Sequence, residues 1–221
     1  ACCVAAMGKK PGALTAAQSA SVDQLLEQGD TLLAQQQFRE AYDCLTEATT
    51  LGPGKPLGWF HLGLAASELW ESEGLAEDPE NFFPTALHAL RKVLRIDTSG
   101  RAEVRYLASV AAGRLLTKKM TQVMEESEGE MSEAEGDALV AEALGFFQEA
   151  QRLVVEWGHV DLGVTWGDWG KAQSLQMKRL MEGAERRAKG EAVNWAELLG
   201  VLSKLCDEAV EKFGKAQTAI S

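Results

Sequence analysis

From Val22 onward, apolar and small residues return at steps of three and four. Val22, Leu25, Leu26, Gly29, Leu32 and Leu33 share one helical face, and Phe38, Ala41, Leu45 and Ala48 share a second after a short break. That period is the mark of amphipathic helices, each with one stripe to bury. Gly52-Pro53 closes the pair, because proline cannot continue a helix. Runs of β-branched residues in strict alternation, which would predict strands, are absent. Prolines stand at 11, 53, 56, 79 and 84, so the 137 residues after Pro84 hold none and predict long helices. The chain is therefore expected to be all-α. Residues 1–21 contain Gly8, Pro11 and Gly12 without a sustained period and read as a flexible tail.

A helical hairpin of this size cannot bury its apolar face alone, so the same unit should recur. It does, with hairpins predicted near 22–53, 56–98, 101–157 and 161–219. The second opens with Trp59, Leu62 and Gly63 and continues with Ala86, Leu90 and Val93 before Arg95-Ile-Asp-Thr98. Val104, Leu107, Ala108 and Ala111, then Ala143, Phe147 and Ala150, form the third; Trp166, Trp169 and Gly170, then Ala209, Phe213 and Ala216, form the fourth.

With Gly29, Ala41, Leu45, Ala48 and Pro53 in the first unit and the W-x-x-L-G arrangement in the second, residues 22–219 resemble the tetratricopeptide repeat family. The later units depart from it: their paired helices are further apart than a 34-residue period allows, by about 11, 23 and 27 residues in turn. The resemblance implies an α-α superhelix of about four hairpins with elongated later helices. A plain helical bundle over residues 100–221 is the alternative.

The resemblance also implies a concave face lined by the first helix of each pair, with proteins as ligands. By position, the lining would be Asp23, Leu26, Asp30 and Leu33, then Leu57, Phe60, Leu64 and Ser67, then Ala102, Arg105, Ser109 and Ala112. Such a groove is mainly apolar and suits an amphipathic or hydrophobic segment, from a partner or from the chain's own C-terminal helix. Family members that hold the acidic tails of heat-shock chaperones use a clamp of lysine, asparagine and arginine. Leu26, Asp30, His61, Ala102 and Tyr106 stand at the matching places, so such tails are not expected as ligands.

Charge changes the picture locally. The net charge is −11, but Glu125 to Asp137 carries seven acids and no base, leaving −4 for the rest. That stretch reads as a solvated loop between long helices rather than a calcium site, since the D-x-D-x-D-G ligand order is missing. Basic residues cluster in no more than adjacent pairs, such as Lys9-Lys10, Lys118-Lys119 and Arg186-Arg187, too sparse a footprint for nucleic acid. The longest uncharged run in the middle of the chain, Pro56 to Ser67, has twelve residues, too few for a transmembrane helix. Ser132 with Glu135 and Asn194 with Glu197 have capping-box spacing.

Candidate chemistry is sparse. Cys2, Cys3, Cys44 and Cys206 form no C-x-x-C pair and have no histidine at ligand spacing, so no metal is expected. His61 and His88 lie within repeat helices, and His159 with Asp161 could cap a helix. Gly52-Pro-Gly-Lys55-Pro56 lacks the spacing of a phosphate loop and reads as a turn. No catalytic or cofactor site is predicted. Trp59, Trp166 and Trp169 fall on core positions. Trp70, Phe82 and Phe83 flank an acidic insertion and either fold it back over the superhelix or offer an anchor to a partner.

Ala1 in place of methionine, no acid before Asp23, and Val4-Ala5-Ala6 before Met7 resemble the end of an organelle transit peptide. This predicts an organelle interior, plastid stroma first and mitochondrial matrix second, with the cytoplasm as alternative. The function expected is a non-catalytic protein-binding scaffold, in complex assembly or as a peripheral subunit of a larger complex. The alternatives are a permanent structural subunit without a transient ligand and an enzyme with an unrecognised site.

Overall fold

The computed structural model describes residues 15–73, 81–96, 102–126, 133–157, 163–188 and 194–220. Among the described residues every regular element is a helix: α1 (Ala16–Ala34), α2 (Phe38–Leu51), α3 (Pro56–Glu73), α4 (Phe82–Arg95), α5 (Ala102–Glu126), α6 (Glu133–Trp157), α7 (Gly163–Ala188) and α8 (Trp195–Ile220).

The ends of these helices follow from local chemistry. α1 starts at Ala16, ahead of the first periodic residue Val22, because Thr15 and Gln18 make a capping box. Gln18 N–H donates to Thr15 Oγ1 at 3.3 Å, and Thr15 N–H donates to Gln18 Oε1 at 3.0 Å. The expected tail is thus helical over residues 16–21, while residues 1–14 lie outside the described residues. At the other end of α1, Gln36 adopts a left-handed φ of 60°. This lets Gln36 N–H reach Leu33 O at 3.0 Å and Gln37 N–H reach Leu32 O at 2.9 Å, a tight exit into α2. Asn194 caps α8 as its spacing predicts, accepting from Glu197 N–H at 3.3 Å. Ser132 lies outside the described residues.

Each helix packs on the next in the chain, and α1, α3, α5 and α7 also pack on one another in order. Among the described residues no even-numbered helix brings its backbone close to the next even-numbered one, and only side chains meet there, as Tyr42 with Phe82 and Arg91 with Glu142. Stacked hairpins with their first helices inside and their second helices outside form an all-α superhelix. The order holds over α5–α8 as well. A closed four-helix bundle would bring its last helix against its first, and no α5–α8 contact occurs among the described residues.

One contact recurs in all four hairpins. A glycine on the odd helix faces a large residue on the even helix so closely that a Cβ would meet it: Gly29 with Leu45 at 2.6 Å, Gly63 with Leu90 at 2.8 Å, Gly113 with Phe147 at 2.7 Å and Gly170 with Phe213 at 2.8 Å. Around each large residue the even helix repeats a small-large-small spacing, Ala41-Leu45-Ala48, Ala86-Leu90-Val93, Ala143-Phe147-Ala150 and Ala209-Phe213-Ala216. In three of the hairpins the odd helix adds a hydroxyl one turn after the glycine that donates to its carbonyl: Ser67 to Gly63 at 2.8 Å, Thr117 to Gly113 at 2.7 Å and Ser174 to Gly170 at 2.9 Å.

Leu45, Leu90 and Phe147 have no exposed surface, and burying each is worth about 1.5–3 kcal/mol. Against this stands the cost of glycine inside a helix, about 0.5–1 kcal/mol. Gly63→Ala should therefore destabilise the protein by about 1–3 kcal/mol, as Leu90 is pushed off its rotamer. Gly145→Ala on α6, where no atom lies within 4 Å of the new Cβ, should instead stabilise it by roughly 0.5–1 kcal/mol. Thermal or urea unfolding of both variants checks this, and equal effects would contradict the packing role.

Candidate binding groove on the inner face

Because the odd helices bury the stripe that carries their glycines, the neighbouring stripe is left facing the inside of the superhelix. There α3, α5 and α7 enclose a cleft of about 450 Å³. Its floor is apolar, with Leu64, Ala111 and Leu115, and Ser67, Thr117 and Thr121 add hydroxyls. Charges of both signs line it: Glu68, Glu71 and Asp168 against Arg114, Lys118 and Lys171.

These charges tie the helices together across the cleft. Lys118 on α5 pairs with Glu71 on α3, and Arg114 on α5 pairs with Asp168 on α7, which Lys171 also approaches at 3.4 Å. Glu68 is pushed above the usual carboxylate range, first by burial and then by the neighbouring Glu71, with Lys118 working the other way. Ion pairs with exposed partners contribute little net stability, about 0–1 kcal/mol each. Lys118 is half exposed at 53%, so an incoming charge could take Glu71 from it without much loss to the fold.

The expected lining is only partly at this surface. Leu64 and Ser67 line the cleft. Leu26, Phe60, Ser109 and Ala112 are buried and belong to the core, which corrects their assignment as groove residues. Asp23 and Asp30 are exposed on α1, Asp23 bonded to Lys55 at 2.9 Å. Leu33, Leu57 and Ala102 are half-buried outside the cleft. Arg105 turns to α6, donating to Glu149 at 3.2 Å.

Leu26 and Phe60 are covered by the next hairpin, Leu26 against Gly58 of α3 and Phe60 in the core cluster with Ala108 and Ala112 of α5. For Arg105, Ser109 and Ala112 the cause is the register of the third hairpin. Its packing glycine is Gly113, not Ala108, so the inner positions move from Arg105, Ser109 and Ala112 to Ala111, Arg114, Thr117 and Lys118. The glycine-to-hydroxyl spacing shared by Gly63-Ser67, Gly113-Thr117 and Gly170-Ser174 was the signal that would have fixed it. With the corrected register the cleft is charged, not mainly apolar.

Trp70 and Phe82 are 1% and 2% exposed, so they are core residues and not partner anchors. Phe83 is half-buried against Trp70, with ring centroids 5.2 Å apart. Tyr42 meets Phe82 edge-on at 5.4 Å, and Lys119 Nζ lies 5.6 Å from the Trp70 ring. Packing against these aromatics fixes both borders of the insertion, whose residues 74–80 lie outside the described residues.

His61 is buried on α3, its Nε2 3.7 Å from Asp30 Oδ1. Cys44 is partly buried and donates its thiol to Leu25 O at 3.3 Å, and burial raises its pKa. His159 and Asp161 lie outside the described residues. Among the described residues no group of histidine, cysteine and acidic side chains is placed to hold a metal, and no helix is long and apolar enough to cross a membrane. No sequence-family model matches the chain, and no curated protein matches it as a relative.

Burial lowers the pKa of His61 below 6.5, with Asp30 only partly opposing it. The folded protein thus resists protonation that the unfolded chain accepts. The stability this contributes is complete above about pH 6.5 and is lost as the pH falls below it. His61→Gln should remove that component, so between about pH 7 and 5.5 the melting temperature of the variant should fall less than that of the native protein. Parallel curves would contradict the assignment.

Proposed function

We propose that this chain is a non-catalytic, tetratricopeptide-like scaffold that holds a segment of another protein in the cleft across α3, α5 and α7. It would act in assembling a larger complex or as a peripheral subunit of one. The observation that carries this reading is the stacking of α1, α3, α5 and α7 side by side, which leaves one continuous inner face. The recurring glycine contact supports the tetratricopeptide resemblance, since it puts a small residue of the first helix against a large one of the second in every unit.

The cleft lining defines the ligand's chemistry. Leu64, Ala111 and Leu115 would take an apolar side, while Glu68 and Glu71 at one border and Arg114 and Lys171 at the other would take charges of opposite sign. An amphipathic segment with basic and acidic residues on its flanks satisfies both, and a purely hydrophobic one would desolvate the charges without offering them a partner. Exchangeable surface ion pairs favour reversible capture over permanent attachment.

A photo-reactive residue placed at Thr121 in the cleft should label one protein reproducibly in extract of the source cells, and the same residue at the exposed Gln148 on α6 should not. Arg114→Ala with Leu64→Ala should weaken that labelling about 10–100-fold while helicity is retained. Equal labelling from both positions, or labelling indifferent to the double substitution, would remove the groove from the account.

A further inference from the structure

On α8 the uncovered residues form a seam. Leu199, Ser203, Cys206, Val210 and Phe213 follow one another at alternating steps of four and three, the spacing at which one helix presents a stripe to another. All are exposed, Leu199 at 63%, Val210 at 65% and Phe213 at 41%. In the earlier hairpins the residues equivalent to Phe213 are sealed by the next hairpin: Leu45 packs with Leu62 and Ala65 of α3, Leu90 with Ala108 and Ala112 of α5, and Phe147 with Trp166 and Trp169 of α7. Among the described residues nothing covers Phe213 in this way. Alongside the seam, α7 and α8 border a groove of about 630 Å³ whose apolar lining includes Met177, Met181 and Leu202.

We propose that a second copy of this chain covers this face, with the two α8 helices antiparallel about a two-fold axis at Cys206. The two ends of the seam match in that arrangement. Cys206 is its midpoint, so Leu199 meets Phe213 of the other copy at each end and Cys206 meets its own equivalent. The surrounding charge is mixed, with Glu197, Asp207, Glu208 and Glu211 against Lys204, Lys212 and Lys215 on α8 and Glu182 and Glu185 against Lys178 on α7, and the chain's main acidic run lies elsewhere, at 125–137.

The size also fits. A 26-residue helix is about 39 Å long, and a two-helix layer is about 20 Å wide. The face therefore offers roughly 800 Å² per copy, the area of an ordinary stable dimer. It covers α8 where α3, α5 and α7 cover α2, α4 and α6, with a second α8 in place of an odd-numbered helix. It leaves the inner cleft open, so it stands independently of the scaffold's ligand.

Sedimentation velocity on the full chain should show a dimer at about 10 µM. Leu199→Glu with Val210→Glu should weaken dimerisation by roughly 100-fold or more, and because both positions are exposed the circular dichroism should not change. In a Cys2→Ser, Cys3→Ser, Cys44→Ser background, mild oxidation should link the copies through Cys206. A native chain that stays monomeric up to about 100 µM overturns the proposal and leaves the face to a different protein. A dimer that survives both glutamates also overturns it, and a dimer that never links through Cys206 overturns the antiparallel register.

Discussion

The structure depends on how closely two helices of a hairpin can approach. At Gly29, Gly63, Gly113 and Gly170 the odd helix gives up a side chain, and the space is taken by Leu45, Leu90, Phe147 and Phe213 of its partner. A glycine inside a helix is locally unfavourable. It is offset by a large side chain that fills the gap at crystal-like density and by the alanines or valine on either side, which bring the backbones together. Repeating the same contact four times gives hairpins of one geometry, even though their helices lengthen from 14 residues in α2 to 26 in α8. Hairpins built on the same contact stack in sequence order, first helix on first helix, and that order makes a superhelix instead of a closed bundle.

The inner face inherits its chemistry from this constraint. Since the glycine stripe of each odd helix is committed to its own hairpin, the residues one and four places further along the helix must face inward. In α3 these are Leu64 and Ser67, and in α5 they are Arg114 and Thr117. Lys118 and Arg114 then bridge outward to Glu71 and Asp168 on the neighbouring hairpins. The cleft thus joins adjacent units through charges that water still reaches, while the core below it joins them through Trp70, Phe82, Leu90 and Leu116. The first set is exchangeable and the second is not.

Much of this was legible in the sequence. The hairpin boundaries follow from the period of the apolar residues and from Gly52-Pro53, and the even helices announce themselves through Ala-x-x-x-Leu or Phe spacing, which packing alone dictates. The inner face was harder to read, because its position is set by the register of the odd helix, and α5 offers Ala108, Ala111, Ala112 and Gly113 as small residues in close succession. Only Gly113 faces Phe147, a relation between residues 34 apart that no local pattern contains. The error of register turned a charged cleft into an apolar one. The start of α1 was missed for a different reason: the Thr15–Gln18 capping box needs no apolar period to begin a helix.

The account stands most directly on the pairing of Gly113 with Phe147, the unit that periodicity did not reveal. A double-mutant cycle measures it: Gly113→Ala, Phe147→Leu and the two together, each by urea unfolding. Each single change should destabilise, but the smaller leucine should make room for the new methyl, so the double variant should be more stable than the sum of the singles by about 1–2 kcal/mol. Additive effects would mean that these residues do not share a site, and the third hairpin, with the cleft built on its register, would have to be redrawn.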